Sequence, residues 1–115
     1  MQIIKFEDII AWQKAQDLAV EVYKAFDHLK DFGFKDQICR ATISISNNIA
    51  EGFDRSSNAD FKRFLFISLA SCSEVKSMLY LGERLNYLKK DEAESLRRNC
   101  VEISKITSGF IKSLK

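Results

Sequence analysis

Apolar residues recur at intervals of three and four along four segments of the chain, and this spacing predicts four helices. The first segment runs from about Glu7 to Leu29. Its apolar stripe comprises Ile9, Trp12, Ala15, Ala19, Val22, Phe26 and Leu29. The second runs from about Phe34 to Arg55 and is rich in Ser and Asn. Its stripe comprises Ile38, Ala41, Ile45, Ile49 and Phe53.

The third segment runs from about Asn58 to Leu88, and Ser57 followed by Asp60 resembles a capping box at its start. Its first apolar stripe comprises Phe61, Phe64, Leu65, Cys72, Val75 and Leu79. The fourth segment runs from about Asp91 to Leu114. Its stripe comprises Leu96, Cys100, Ile103, Phe110 and Leu114.

The joins between these segments are short, near residues 30–33, 56–57 and 89–90. Gly33 is expected to be a left-handed turn residue in the first join. Short connections make consecutive helices antiparallel neighbours. The pattern therefore predicts an all-α fold, an antiparallel up-and-down four-helix bundle.

The third helix carries a second apolar stripe on roughly the side opposite its first. This stripe comprises Ile67, Met78, Leu81, Leu85 and Leu88. A bundle helix needs one apolar side for its core, and a large exposed apolar patch usually marks an interface. These five residues are therefore predicted to form an oligomer interface. The alternative is a broad core stripe on one central helix.

Composition narrows the class of protein. A chain of 115 residues fits a single domain, here residues 1–115. The absence of proline and the presence of only four glycines argue against a β-sandwich or barrel, which needs frequent turns. The first residues do not resemble a signal peptide, and no stretch of about 18 uncharged apolar residues occurs. A cytoplasmic protein without a membrane span is expected.

Charge is distributed unevenly. Residues 1–60 carry seven basic and ten acidic side chains, a balance of −3, whereas residues 61–115 carry eleven and six, a balance of +5. The basic excess is concentrated at Lys62, Arg63, Lys76, Arg84, Lys89, Lys90, Arg97 and Arg98. Such asymmetry permits a surface that faces a polyanion, although ordinary solvated helix faces give the same pattern.

Residues that would carry chemistry are scarce. His28 is the only histidine, and neither a GxSxG elbow nor a glycine-rich phosphate loop occurs. The three cysteines, Cys39, Cys72 and Cys100, lack CxxC spacing and are expected to be buried free thiols. The sequence therefore predicts no enzyme, and it indicates no metal, cofactor or small-molecule substrate.

Polar residues cluster on the second helix at spacings of three, four and seven. They are Arg40, Ser44, Asn47, Asn48, Glu51 and Arg55. Glu51 and Arg55 are an i,i+4 pair in the favourable order, and Asn48 adjoins the apolar stripe. The predicted polar network either fixes the register between helices or subunits, or forms a contact face for a ligand or nucleic acid.

The same helix resembles a known protein family. Residues 40–52 match the signature RAxxSIxxNIAEG of a bacterial four-helix-bundle family that includes proteins encoded by intervening sequences in 23S ribosomal RNA genes. Residues 6–15 resemble that family's opening. Residues 55–65 resemble its RxSxxEFxxFL segment, with Asp60 in place of Glu, and residues 67–88 resemble its next helix, with Ala70 in place of Gly.

The resemblance implies an up-and-down bundle that assembles into ring-shaped homopentamers. A related branch, the accessory protein of diversity-generating retroelements, binds reverse transcriptase and RNA through basic surface. By analogy, RNA or a ribonucleoprotein is expected to contact basic positions of helices 3 and 4. These positions are Lys62, Arg63, Arg84, Lys89, Lys90, Arg97 and Arg98. The alternative is a protein-only assembly scaffold.

Overall fold

The computed structural model describes residues 3–115, and within this range the chain forms four α-helices and no strand. The helices are α1 (Ile10–Ala25), α2 (Phe32–Phe53), α3 (Asn58–Arg84) and α4 (Lys90–Ser113). A short 3₁₀ helix, Phe6–Asp8, precedes α1. The predicted all-α class and the number of helices are confirmed, and the differences lie at the helix ends.

The start of α2 differs from the prediction. Asp31 is its N-cap, and its carboxylate accepts a hydrogen bond from the backbone N–H of Phe34 at 3.1 Å. Gly33 therefore lies inside the first turn of α2, and its expected left-handed conformation is wrong. Hydrogen bonds from the Tyr87 hydroxyl and from Phe34 hold the pKa of Asp31 below its usual value.

The end of α3 comes earlier than predicted, at Arg84 instead of Leu88. Asn86 has a φ of 60°, and its N–H donates to the carbonyl of Glu83. The N–H of Tyr87 donates to the carbonyl of Gly82 at 2.8 Å. This is the Schellman pattern that ends a helix at a left-handed residue, and asparagine tolerates that conformation.

The predicted start of α3 is confirmed, whereas the predicted start of the first helix is wrong. The expected cap of α3 is present, since the Ser57 hydroxyl accepts from the N–H of Asp60 at 3.1 Å. The first segment, by contrast, is not one continuous helix from Glu7. Ile9 is extended, with φ −76° and ψ 119°, so it separates the 3₁₀ turn from α1.

Each helix contacts two others: α1 and α3 both pack against α2 and α4. Between α2 and α3, Gln37 Nε2 donates to Glu74 Oε2 at 3.3 Å and Ser44 Oγ lies 2.8 Å from Ser71 Oγ. Residue numbers thus fall along α3 as they rise along α2. The four helices form a rod of 44 × 22 × 19 Å.

The apolar stripes face one another inside this rod. The largest side chains that are fully enclosed come from all four helices and from Phe26, which follows α1. They are Leu18, Val22, Phe26, Ile38, Ile45, Ile49, Leu65, Val75, Leu79 and Ile103. The prediction of these stripes as core is confirmed at every one of these positions except Leu18, which is buried although the predicted stripe of the first segment did not include it. Burial of these side chains is the main favourable contribution to folding.

Helix α3 is unusually apolar for its length. Over 18 residues its mean hydropathy is 1.3, so by length and composition alone it meets the criteria for a membrane-crossing helix. It occupies the core between α2 and α4, and 39% of those residues are buried. A central core helix has the same composition, and the remaining apolar residues of α3 lie on the surface.

Candidate functional site

A groove with a volume of about 700 Å³ lies between α3 and α4. We call it the α3/α4 groove. Its walls carry four basic and two acidic side chains together with an aromatic ring and aliphatic groups. The lining residues are Lys76, Tyr80, Glu94, Arg97, Arg98, Val101, Glu102, Lys105 and Ile106.

Arg97 and Tyr80 form the ordered centre of this groove. The Arg97 guanidinium lies 4.1 Å from the centroid of the Tyr80 ring, and its Nη1 donates to Glu83 Oε1 at 2.8 Å. The Arg97 side chain is only 12% exposed, whereas Tyr80 is 52% exposed. The Glu83 carboxylate and the Tyr80 ring therefore hold the Arg97 guanidinium in a fixed position. Of these two groove residues, Tyr80 is the more accessible to solvent.

The charges of the groove leave a positive excess. The carboxylate of Glu102 forms an ion pair with Lys14 of α1, which is not a groove residue, at 3.1 Å. Arg97 is balanced by Glu83. The remaining lining charges are the cations Lys76, Arg98 and Lys105 against one carboxylate, Glu94. The groove therefore favours an anion over a cation.

The basic residues predicted to bind nucleic acid do not form one patch. Lys62 and Arg63 lie in the first turns of α3, whereas Arg84 lies at its last residue, about 32 Å away at 1.5 Å per residue. Lys89 and Lys90 follow near the start of α4. Of the predicted set, only Arg97 and Arg98 line the α3/α4 groove.

The guanidinium of Arg63, which was predicted to contact nucleic acid, is already bound to neighbouring side chains of the protein. Its guanidinium donates two hydrogen bonds to Asp60 Oδ1, at 2.9 and 3.0 Å, and lies 4.7 Å from the centroid of the Phe64 ring. Arg55 lies over the same ring at 4.5 Å. These contacts tie both arginines to the start of α3.

The predicted site lacked three groove residues that are cationic or aromatic: Lys76, Tyr80 and Lys105. Lys76 and Tyr80 are four residues apart on α3, and Arg98 and Lys105 are seven apart on α4, so each pair shares a helix face. The spacing within each helix was visible in the sequence. The pairing of those two faces across the groove was not, because it depends on how α3 and α4 pack.

The polar residues of the family signature do not join into the predicted network. The Asn48 amide donates to the carbonyl and hydroxyl of Ser44 at 2.8 and 2.9 Å. Arg40 instead pairs with Asp36 at 2.8 Å.

The expected pair between Glu51 and Arg55 is wrong. The Arg55 guanidinium lies 3.9 Å from Asp60, which the start of α3 brings close to the end of α2. Glu51 and Asn47 are exposed on the outer side of α2. Part of the signature thus joins α2 to α3, and part faces solvent.

The predicted oligomer interface is only partly on the surface. Ile67, Leu81 and Leu85 are exposed, at 40%, 46% and 45%. Met78 and Leu88 are buried, at 8% and 7%, and both pack in the main core cluster. Their assignment to an exposed stripe is wrong: Met78 lies on the core side of α3, and the early end of α3 turns the chain so that Leu88 points inward.

Phe66, 57% exposed, joins the three exposed members on the same side of α3. We call this surface the α3 outer face, which consists of Phe66, Ile67, Leu81 and Leu85. Phe66 and Ile67 lie in the first half of α3, and Leu81 and Leu85 lie at its end, so the face offers two exposed apolar pairs that a second subunit could cover.

The cysteines are free and buried, as predicted. The Cys72 thiol donates to the carbonyl of Cys100 at 3.2 Å and accepts from the Ser104 hydroxyl at 3.4 Å. The side-chain interaction with the neighbouring Cys72 thiol, together with burial, raises the pKa of the Cys100 thiol. No group of three or more His, Cys, Asp or Glu residues that could hold a metal ion occurs within residues 3–115.

Comparisons with known proteins place this geometry in context. Residues 7–109 match the sequence model of the family described as 23S rRNA-intervening sequence protein. A crystal structure from Bacteroides thetaiotaomicron VPI-5482, described as a protein with unknown function from the S23 ribosomal protein family, is similar with a TM-score of 0.84 and 31% identity. The similarity covers 90% of this chain and 100% of that one. A search of curated proteins found no match.

Proposed function

The chain belongs to the family of 23S rRNA-intervening sequence proteins, and from that premise we propose that it is a non-enzymatic, self-associating adaptor that binds RNA in the α3/α4 groove. The observation that carries the proposal is the groove itself. It combines a net positive charge with an exposed aromatic ring, the two features with which proteins contact nucleic-acid strands. An RNA partner would place the protein in the cytoplasm.

The proposed architecture is an antiparallel up-and-down bundle. The contacts between α2 and α3 support it, because residue numbers fall along α3 as they rise along α2. The contacts between α1 and α4 run in opposite directions in the same way. Lys14 contacts Glu102, and Glu21, further along α1, accepts from Asn99, which is earlier on α4. Such a bundle leaves the long sides of its helices available to a second subunit.

Self-association through the α3 outer face is the second part of the proposal. Burying exposed apolar surface is the main driving force for association between subunits. A homopentameric ring, as the family resemblance implies, would cover that face and repeat the groove five times. A subunit charge of +2 then becomes +10 for five copies, and weak contacts to one RNA strand add up through multivalency.

Salt dependence tests the RNA part. The full-length protein is titrated into a fluorescein-labelled RNA of about 20 nucleotides at several salt concentrations. We expect the logarithm of the affinity to fall linearly with the logarithm of the salt concentration, because binding releases counterions from the phosphates. The double variant Lys76→Ala/Lys105→Ala should bind more weakly and reduce the slope by about 2, roughly 1 per phosphate contact removed.

The matched control is Lys24→Ala/Lys30→Ala, which removes the same charge from two exposed positions on and just after α1. Its affinity and slope should equal those of the wild type. No binding at about 50 mM salt, or binding that salt does not change, would contradict an RNA-binding role.

A protein-only scaffold is the second candidate. The pairing of Arg97 with Glu83 and of Arg63 with Asp60 favours it, because these contacts neutralise two of the cations predicted to bind RNA. Affinity purification with and without nuclease treatment distinguishes the two functions. Protein partners that remain bound after nuclease digestion favour the scaffold, and partners lost on digestion favour the RNA adaptor.

A further inference from the structure

Tyr80 is the exposed aromatic side chain of the α3/α4 groove. It is 52% exposed, and a single guanidinium, that of Arg97, is stacked over its ring. One planar cation covers at most one face of a phenol ring. Tyr80 lines the groove and about half of its surface is accessible to solvent, so part of the ring is open to a ligand.

Cations surround this ring on both helices. Lys76 and Arg84 lie four residues before and after Tyr80, so they share its side of α3. Across the groove, α4 presents Arg98 and Lys105. An aromatic ring with cations at helical spacing on either side matches a strand in which bases alternate with phosphates.

The ring distinguishes between unpaired and paired RNA. In an A-form duplex the base faces are stacked on one another, and proteins reach mainly phosphates and 2′-hydroxyls. An unpaired strand can turn a base outward and stack it on an aromatic side chain, which contributes about 1–3 kcal/mol per base. A groove between two packed helices, whose axes are about 8–10 Å apart, suits an extended strand better than a duplex about twice as wide.

We propose that the α3/α4 groove selects single-stranded RNA, with a base stacked on Tyr80 and the neighbouring phosphates held by Lys76, Arg98 and Lys105. This inference rests on the proposed RNA-binding function and adds which form of RNA is bound and which side chain reads it. Tyr80 acts through its ring, so its hydroxyl is dispensable.

Fluorescence anisotropy with the full-length protein at about 50 mM salt tests the proposal. The probes are a labelled 12-nucleotide unstructured RNA and the blunt duplex formed with its complement. We expect tighter binding to the single strand. Tyr80→Ala should weaken single-strand binding about 5- to 150-fold, the range that corresponds to losing one stacked base, and leave duplex binding unchanged.

Two matched variants make the result specific. Tyr80→Phe keeps the ring and should bind the single strand as the wild type does. Tyr23→Ala removes a tyrosine of similar exposure, 45%, from α1 and should have no effect. Circular dichroism and light scattering of Tyr80→Ala should match the wild type. A lower mass that accompanies the loss of binding would overturn the proposal, because Tyr80 would then act in assembly.

The remaining outcomes separate this inference from the proposed function. Equal affinity for both RNA forms, with no effect of Tyr80→Ala while Lys76→Ala/Lys105→Ala weakens both, overturns the stacking role and leaves RNA binding intact. No binding of either form overturns both. Displacement of the RNA by micromolar adenosine monophosphate would show that the groove is a mononucleotide pocket, and would likewise overturn the selection of a strand.

Discussion

Gly52 lies where α2 packs against the start of α3, and its lack of a side chain determines how close the two helices come. A Cβ placed on Gly52 would lie 2.6 Å from the Cβ of Phe64 and 2.9 Å from Cδ1 of Phe61. A Cβ is fixed to the backbone, so rotation about χ1 on either side cannot relieve the contact with Phe64. The glycine of the family signature is thus explained by packing.

We predict that Gly52→Ala lowers the free energy of unfolding by about 1–3 kcal/mol, the range for overpacked core positions, despite the better helix propensity of alanine. Urea denaturation followed by circular dichroism measures the change. Gly109→Ala is the control, because nothing lies within 4 Å of its added Cβ. That variant should be stabilised by up to about 1 kcal/mol. Equal effects of the two substitutions would contradict the packing argument.

The ends of the helices depend on single residues, and the sequence predicted some of these ends correctly and others wrongly. Ser57 was predicted as a cap because its type and its spacing from Asp60 are local signals, and local signals are visible in a sequence. Asn86 was missed because asparagine adopts the left-handed conformation only in some contexts. The conformation of Gly33 was predicted wrongly because it too depends on its context. Asp31 caps the first turn of α2, so Gly33 lies inside the helix.

At the scale of helices, the periodicity predicted the number of helices and most of the core, because a 3.6-residue repeat records which side of a helix is buried. It was less successful for the second stripe of α3. Met78 and Leu88 were grouped with Ile67, Leu81 and Leu85, yet the first two are buried and the last three exposed. The difference depends on the end of α3 and on its packing against α2, which a periodic pattern does not contain.

The α3 outer face carries the prediction for association. Leu81→Glu/Leu85→Glu places two charges on positions that are already about half exposed, so a lone subunit tolerates them. At a subunit interface the same carboxylates would be buried without partners. We expect the variant to keep the helical circular dichroism of the wild type and to sediment as a monomer.

Val20→Glu is the matched control, since Val20 is an apolar residue of α1 with 53% exposure. It should leave the sedimentation behaviour unchanged. If the double variant stays associated, the α3 outer face is not the contact between subunits. If it loses its helicity, Leu81→Ser/Leu85→Ser gives the same test without added charge and should also release monomers.

At the scale of the whole molecule, the functional surface was the hardest feature to predict. The α3/α4 groove joins side chains of α3 and α4 that are 14 to 30 residues apart in the sequence, such as Tyr80 with Glu94 and Lys76 with Ile106. Its charge depends on ion pairs across helices, since Lys14 neutralises Glu102 and Glu83 neutralises Arg97. Counts of charge along the chain identified the basic half of the molecule but could not show which cations converge.

The mass of the protein in solution tests most directly whether the exposed apolar residues of α3 serve to join subunits. Light scattering coupled to size-exclusion chromatography gives this mass independently of shape, which matters for a rod of 44 × 22 × 19 Å. We predict a ring of five 13.2 kDa chains, a mass of about 66 kDa that persists on dilution to low micromolar concentration. A single species of 13.2 kDa at every concentration would contradict the account.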